Sequence, residues 1–191
     1  MRQLRALLPL TVALGALASV GVPRANAQAM SMAASNAMPE SYRQVQLSAL
    51  DMQRRLLLAM ADSMPESLYR DKVTPIQRDF AQQLQHAAMP FATLVPRFLG
   101  VPAPTGLPDS ATTLNSRVGM RAYINGVFDY AAGVLRSQTA ADREAHTTFF
   151  GSDMPKWKVW DELHQHTWWT AGQVVANFRK NGMAPPGFGF F

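Results

Sequence analysis

The sequence predicts an all-α fold, a four-helix bundle. Three observations point to it. Apolar residues recur at helical spacing in four long stretches, no stretch alternates with period two, and Pro, Gly, Ser, Thr and Asp cluster between the helical stretches. With 48 % hydrophobic residues in 191, one domain has enough apolar surface for a buried core.

The chain opens with a targeting pattern. Met1-Arg2-Gln-Leu-Arg5 is a short basic region, and Ala6 to Val20 is an apolar run shorter than the ~20 residues a membrane span needs. Ala25-Asn26-Ala27 has the small-residue form of a cleavage site. The expectation is a signal peptide over residues 1–27, cleavage before Gln28, and a periplasmic or secreted protein with no stable membrane span. The alternative is an uncleaved anchor helix. Losing Arg2, Arg5 and Arg24 removes three positive charges and takes the formal net charge from +5 to +2. No basic run interleaved with aromatics remains, which argues against nucleic acid as a partner. Zero cysteines exclude thiolate nucleophiles, thiolate metal ligands, Fe–S clusters and a lipid-attached cysteine.

Residues 28–39, rich in Ala, Ser, Met and Asn, read as a flexible leader. The first helix is predicted over 40–63, with Val45, Leu50, Leu57 and Met60 on its apolar face and Asp62-Ser-Met-Pro65 ending it. The second is predicted over 75–99. Thr74-Pro75-Ile76-Gln77 reads as a capping box with Pro at the first helical position, and Ile76, Phe80, Ala87, Phe91, Leu94 and Phe98 share a face. Pro90 cannot donate to the His86 carbonyl, so a kink is expected near His86. Residues 101–115 read as loop, then a third helix over 116–138. In it Gly119, Gly126 and Gly133 recur every seven residues and predict a close helix–helix approach. A second loop over 139–155 leads to the last helix, over 156–181. It ends at Gly182 behind Arg179 and Lys180, residues suited to a helix C-terminus. Four long helices with two longer loops predict an up–down-type bundle. The tail, residues 187–191, either docks on the bundle, mediates association as a homodimer, or is loosely held.

On the last helix Glu162, His166 and Thr170 fall at i, i+4 and i+8, within about 40° of one another around the axis. Gln173 and Asn177 continue the stripe. Such a polar seam is either a solvated edge or a site inside the bundle. Four histidines are present. His146 lies in a polar loop, and His164 is about 200° from His166, so both cannot face one site. His86 and His166 remain, and two inward histidines on two helices are either the start of a metal site or satisfied core residues. No H-E-x-x-H, G-x-S-x-G or P-loop occurs.

Several strings, in order, resemble the DinB/YfiT superfamily of metal-binding four-helix bundles. Leu58-Ala-Met-Ala-Asp-Ser-Met-Pro-Glu-Ser-Leu-Tyr69 is similar to the end of that family's first helix. Phe80-Ala-Gln-Gln-Leu-Gln-His86 is similar to its second, and Val127-Phe-Asp-Tyr130 to its third. His166-x-x-x-Thr170-Ala-Gly172-Gln173 and Phe178-Arg-Lys-Asn-Gly-Met-Ala-Pro-Pro186 resemble its last helix and tail. The likeness covers roughly Glu40 to Pro186. It implies a divalent metal, zinc or nickel, held by three histidines, of which His86 matches the first and His166 the second. The third position is Thr170, a poor ligand for either metal. The site is then lost, or weak with two histidines and water, or completed by the Glu162 carboxylate. The resemblance further implies transfer or isomerisation with a thiol partner. Export argues instead for a metal-dependent hydrolase acting on an unidentified small molecule. The competing class is a non-catalytic bundle that binds an apolar ligand or protein through Trp168, Trp169 and nearby methionines.

Overall fold

The computed structural model describes residues 38–187. The expected signal peptide, most of the leader and most of the tail lie outside them. Among the described residues the order is α1 (Glu40–Ser63), a 3-10 turn (Glu66–Leu68), α2 (Phe80–Leu99), α3 (Ser110–Asn115), α4 (Arg117–Ser137), α5 (Ala140–Glu144), β1 (His146–Phe149), β2 (Ser152–Pro155) and α6 (Lys156–Lys180). Four long helices carry the core, as predicted. The two short helices and the hairpin stand where the sequence reading has plain loop. The strands are four residues each, paired Phe149 to Ser152 around Phe150 and Gly151, which have φ 47 and 91. Phe at a positive φ is unusual, so the turn lacks the Asn-Gly signal by which a hairpin is read.

The helices pack through apolar side chains, of which the periodicity identified Leu50, Leu57, Met60 and Phe91. Leu50, Leu57 and Met60 of α1 meet Leu84, Phe91 and Val95 of α2, Met120, Ile124, Val127 and Phe128 of α4, and Val159, Leu163, Val174 and Phe178 of α6 in one buried cluster. Val45 is the exception on α1, and stays over half exposed.

The start of α2 differs from the prediction. The helix begins at Phe80, and Ile76 sits fully exposed in the preceding turn. The capping box is Asp79 with Gln82. The Asp79 carboxylate accepts from the Gln82 amide at 2.8 Å, and Gln82 Oε1 accepts from the Asp79 amide. Asp79 also pairs with Arg70 while buried. The incoming chain satisfies two more orphan donors, since the Phe80 and Ala81 amides donate to the Asp71 and Tyr69 carbonyls. A start at Pro75 would forfeit all of these bonds, which outweighs the local signal of Thr74 and Pro75. The helix then runs through Pro90 and Pro96 to Gly100, a left-handed cap at φ 72.

The topology is not up-and-down. Gln46 Nε2 donates to the Trp157 carbonyl and Gln53 Nε2 to the His164 carbonyl, both at 3.1 Å. The two bonds advance together by seven residues, so α1 and α6 are parallel. Arg54 bonds Asn125 and Asp129, and Asp62 pairs with Arg121, so α1 and α4 are antiparallel. Thr167 Oγ1 donates to the Ala87 carbonyl and Gln83 bonds Gln173, so α2 and α6 are antiparallel. The sense is therefore up, down, down, up. Two consecutive long helices that run the same way need a connection that returns along the bundle, and residues 100–116 provide it.

That crossover explains the glycines. Along α4 the returning chain meets Tyr130 at Pro102, Gly126 at Leu107 and Gly119 at Thr112. A Cβ at Gly119 would lie 2.2 Å from the Thr112 carbonyl oxygen, and one at Gly126 2.6 Å from a Leu107 methyl. The close approach is thus to the crossover, not to another long helix. Gly133 has open space around it. Gly133→Ala is therefore expected to raise stability by about 0.5–1 kcal/mol through helix propensity. Gly119→Ala is expected to lower it by about 1–3 kcal/mol through overpacking against backbone. Urea midpoints of the two variants check both signs.

Candidate functional site

α2 and α6 run side by side through the middle of the bundle and bring His86 next to His166. Their ring centroids are 5.0 Å apart and nearly perpendicular, at 78°. Both side chains are half-buried. The Thr167 bond to the Ala87 carbonyl fixes the axial register one residue away from each. Nδ1 of His166 is buried and has no hydrogen-bond partner. An orphaned buried nitrogen of this kind is costly unless something occupies it.

The electrostatics keep both rings neutral at neutral pH. The His86 pKa lies below its ordinary 6.5, first through burial, then through Arg78 and through His166. The His166 pKa is lowered by burial and by the Arg78 charge. Neutral imidazoles are the form that coordinates a metal.

The other candidates fall elsewhere. His164 is buried on the opposite side of α6. Its Nδ1 lies 3.0 Å from Gln53 Oε1 and its ring 5.6 Å from Phe91. His146 is on β1, exposed, and pairs with Asp153. Thr170 is buried one turn beyond His166. Glu162 is half-buried one turn before it. Among the described residues no three His, Asp or Glu side chains come together as a metal shell requires, so Glu162 does not join the pair in one cluster. Trp169 is 74 % exposed on α6, and the fully buried tryptophan is Trp160, which donates to Gln138.

The pair answers to part of a metal site. Two imidazoles on one tetrahedral ion, with metal–nitrogen bonds near 2.0–2.1 Å, place their ring centres about 5 Å apart. The observed separation fits, and the unpartnered Nδ1 of His166 is a donor without another task. A third imidazole is absent: the residue one turn beyond His166 is Thr170, whose neutral hydroxyl is a poor ligand.

Sequence reading missed Arg78. With Gln82, Gln85, His86 and Met89 it lines a cavity of about 340 Å³ along α2, closed on one side by Leu114 of α3. Gln82, Gln85, His86 and Met89 follow at i, i+3, i+4 and i+7, which is one face of α2, and Arg78 lies just before the helix start.

Comparison with known proteins adds a fold-level likeness. No family model matches the sequence, and no curated protein does. A DinB-like protein from Bacillus cereus, solved by crystallography, is 18 % identical with a TM-score of 0.52, over 74 % of this chain and 94 % of that one. At that identity the likeness establishes the fold, and the all-α, DinB-like arrangement stands on it together with the helix order.

Proposed function

We propose that this DinB-like bundle binds a divalent transition metal, zinc or nickel, weakly through His86 and His166, and acts on a small molecule by hydrolysis or group transfer. The observation that carries the reading is the histidine pair, 5.0 Å apart with a buried unpartnered nitrogen. When bound, such an ion supplies Lewis acidity and a more acidic water. The protein's own part is to hold both rings neutral by burial and by the Arg78 charge, and to fix their spacing through the α2–α6 register. The export expected from residues 1–27 favours hydrolysis over transfer to a cytoplasmic thiol.

Metal-free protein without a histidine tag, titrated with ZnCl₂ or NiCl₂ at pH 7.5, is expected to take up one ion per chain with modest affinity. His166→Ala should abolish the signal, because one imidazole alone does not hold an ion. Absence of binding, or binding untouched by His166→Ala, would overturn the proposal. The second reading, a non-catalytic bundle that binds a small apolar ligand or a protein, is favoured by the incomplete ligand set: among the described residues no carboxylate is grouped with the histidine pair, and the next turn of α6 carries Thr170.

A further inference from the structure

We propose that the cavity beside His86 binds a small organic anion with an apolar tail, its charged end on Arg78. This names the substrate class for the site above and rests on that reading for its link to chemistry; the binding itself needs no metal.

The lining of the cavity carries the inference. Arg78 is exposed and takes part in no ion pair or hydrogen bond among the described residues. The acids nearest it in sequence are spent: Asp79 on Arg70 and the Gln82 amide, and Asp71 on Lys180 and Asn181. The amides reinforce the guanidinium. Gln82 uses its Oε1 on the Asp79 amide, which leaves its NH₂ group free to donate, and Gln85 adds a second amide. No carboxylate lines the cavity. A guanidinium and two amides without an acid select an anion, and an Arg–carboxylate contact is among the stronger hydrogen-bonded pairs. The rest of the wall is the His86 ring, the Met89 thioether and the Leu114 side chain, and the last two ask for an apolar tail. The cleft is open to solvent and, at about 340 Å³, has room for a small molecule. The Arg78 charge also reaches both imidazoles, as their lowered pKa values record, so an anion there sits within the field of the histidine pair.

The test titrates metal-free protein with sodium hexanoate, hexylammonium chloride and sodium acetate at pH 7.5, read by amide chemical shifts. Hexanoate is expected to bind saturably and shift resonances around Gln82, Gln85 and His86. Acetate should bind more weakly for lack of a tail, and hexylammonium should not bind. Arg78→Gln, on an exposed residue and so compatible with folding, should weaken hexanoate by about tenfold or more. Equal affinity for hexylammonium, or hexanoate affinity unchanged in Arg78→Gln, would overturn the proposal. His166→Ala separates the two readings. Loss of zinc binding with hexanoate binding retained supports both, whereas hexanoate binding in a protein that takes no zinc upholds this proposal and rejects the metal.

Discussion

Unfolding free energy is expected to fall by about 3 kcal/mol between pH 7 and pH 4 through one side chain, His164. Its ring is 7 % exposed and its pKa is pushed from 6.5 down to about 4 by burial. Gln53 explains how the neutral ring is held. The Gln53 NH₂ group donates to the His164 carbonyl, so its Oε1 is left to accept from Nδ1–H. That assigns the proton to Nδ1 and leaves Nε2 as a bare lone pair, buried and unpartnered. Protonating Nε2 would put an unpaired charge against Phe91. The unfolded chain takes up the proton near pH 6.5 and the folded chain only near pH 4. The stabilisation is therefore complete above pH 6.5 and lost as the pH falls through that window. Set against a typical stability of 5–15 kcal/mol, about 3 kcal/mol is a large share. His164→Gln keeps a polar side chain and removes the titration. Urea unfolding at pH 7.5, 5.5 and 4.5 should show the variant with a flatter pH dependence than the wild type. Parallel curves would mean that His164 does not carry the effect.

Thr170→His is expected to raise affinity for Zn²⁺ or Ni²⁺ by more than about tenfold, or ~1.4 kcal/mol. The residue is one helical turn beyond His166 and on nearly the same side of α6, so an imidazole there adds a third nitrogen to the pair. Thr170 is buried, and the larger ring should cost about 1–3 kcal/mol of stability in the metal-free form. Bound metal should return part of that cost, since a ligand that binds only the folded state stabilises it. Calorimetric titration gives the affinity, and thermal unfolding with and without ZnCl₂ gives the compensation. If Thr170→His binds no better than wild type while still folding, the third position does not face the pair. Glu162→Gln then asks whether the carboxylate one turn earlier contributes at all.

The four long helices were legible because each buries a stripe wide enough to show in the sequence. Leu57, Phe80 and Phe91 are core residues that periodicity alone finds. The parallel sense of α1 and α6 was not legible. It depends on Gln46 and Gln53, polar residues that look solvent-facing in a pattern and are buried because they reach backbone carbonyls of another helix. The glycines of α4 showed that something comes close, but a missing Cβ cannot say whether a helix or an extended chain fills the space. Helical phase separated His166 from His164 correctly, whereas the start of α2 was read too early. That start is set by the Asp79–Arg70 pair and by the Asp71 and Tyr69 carbonyls, which accept from the Phe80 and Ala81 amides; these partners come from the preceding segment and escape a local capping rule.

The parallel pairing of α1 with α6 has a consequence for anyone rebuilding the chain. Met38 lies beside Glu144, at the end of the bundle where α6 starts. Met183 lies at the other end, bonded to the last turn of α6. The 25 residues of α6 put about 37 Å between those ends. Many domains have neighbouring termini and accept circular permutation with a short linker. Between Met38 and Met183 a joining peptide would have to run the length of the bundle, at least about 11 residues fully extended. Labels at these two residues would sit at opposite poles of the bundle, a long baseline for distance measurements across it.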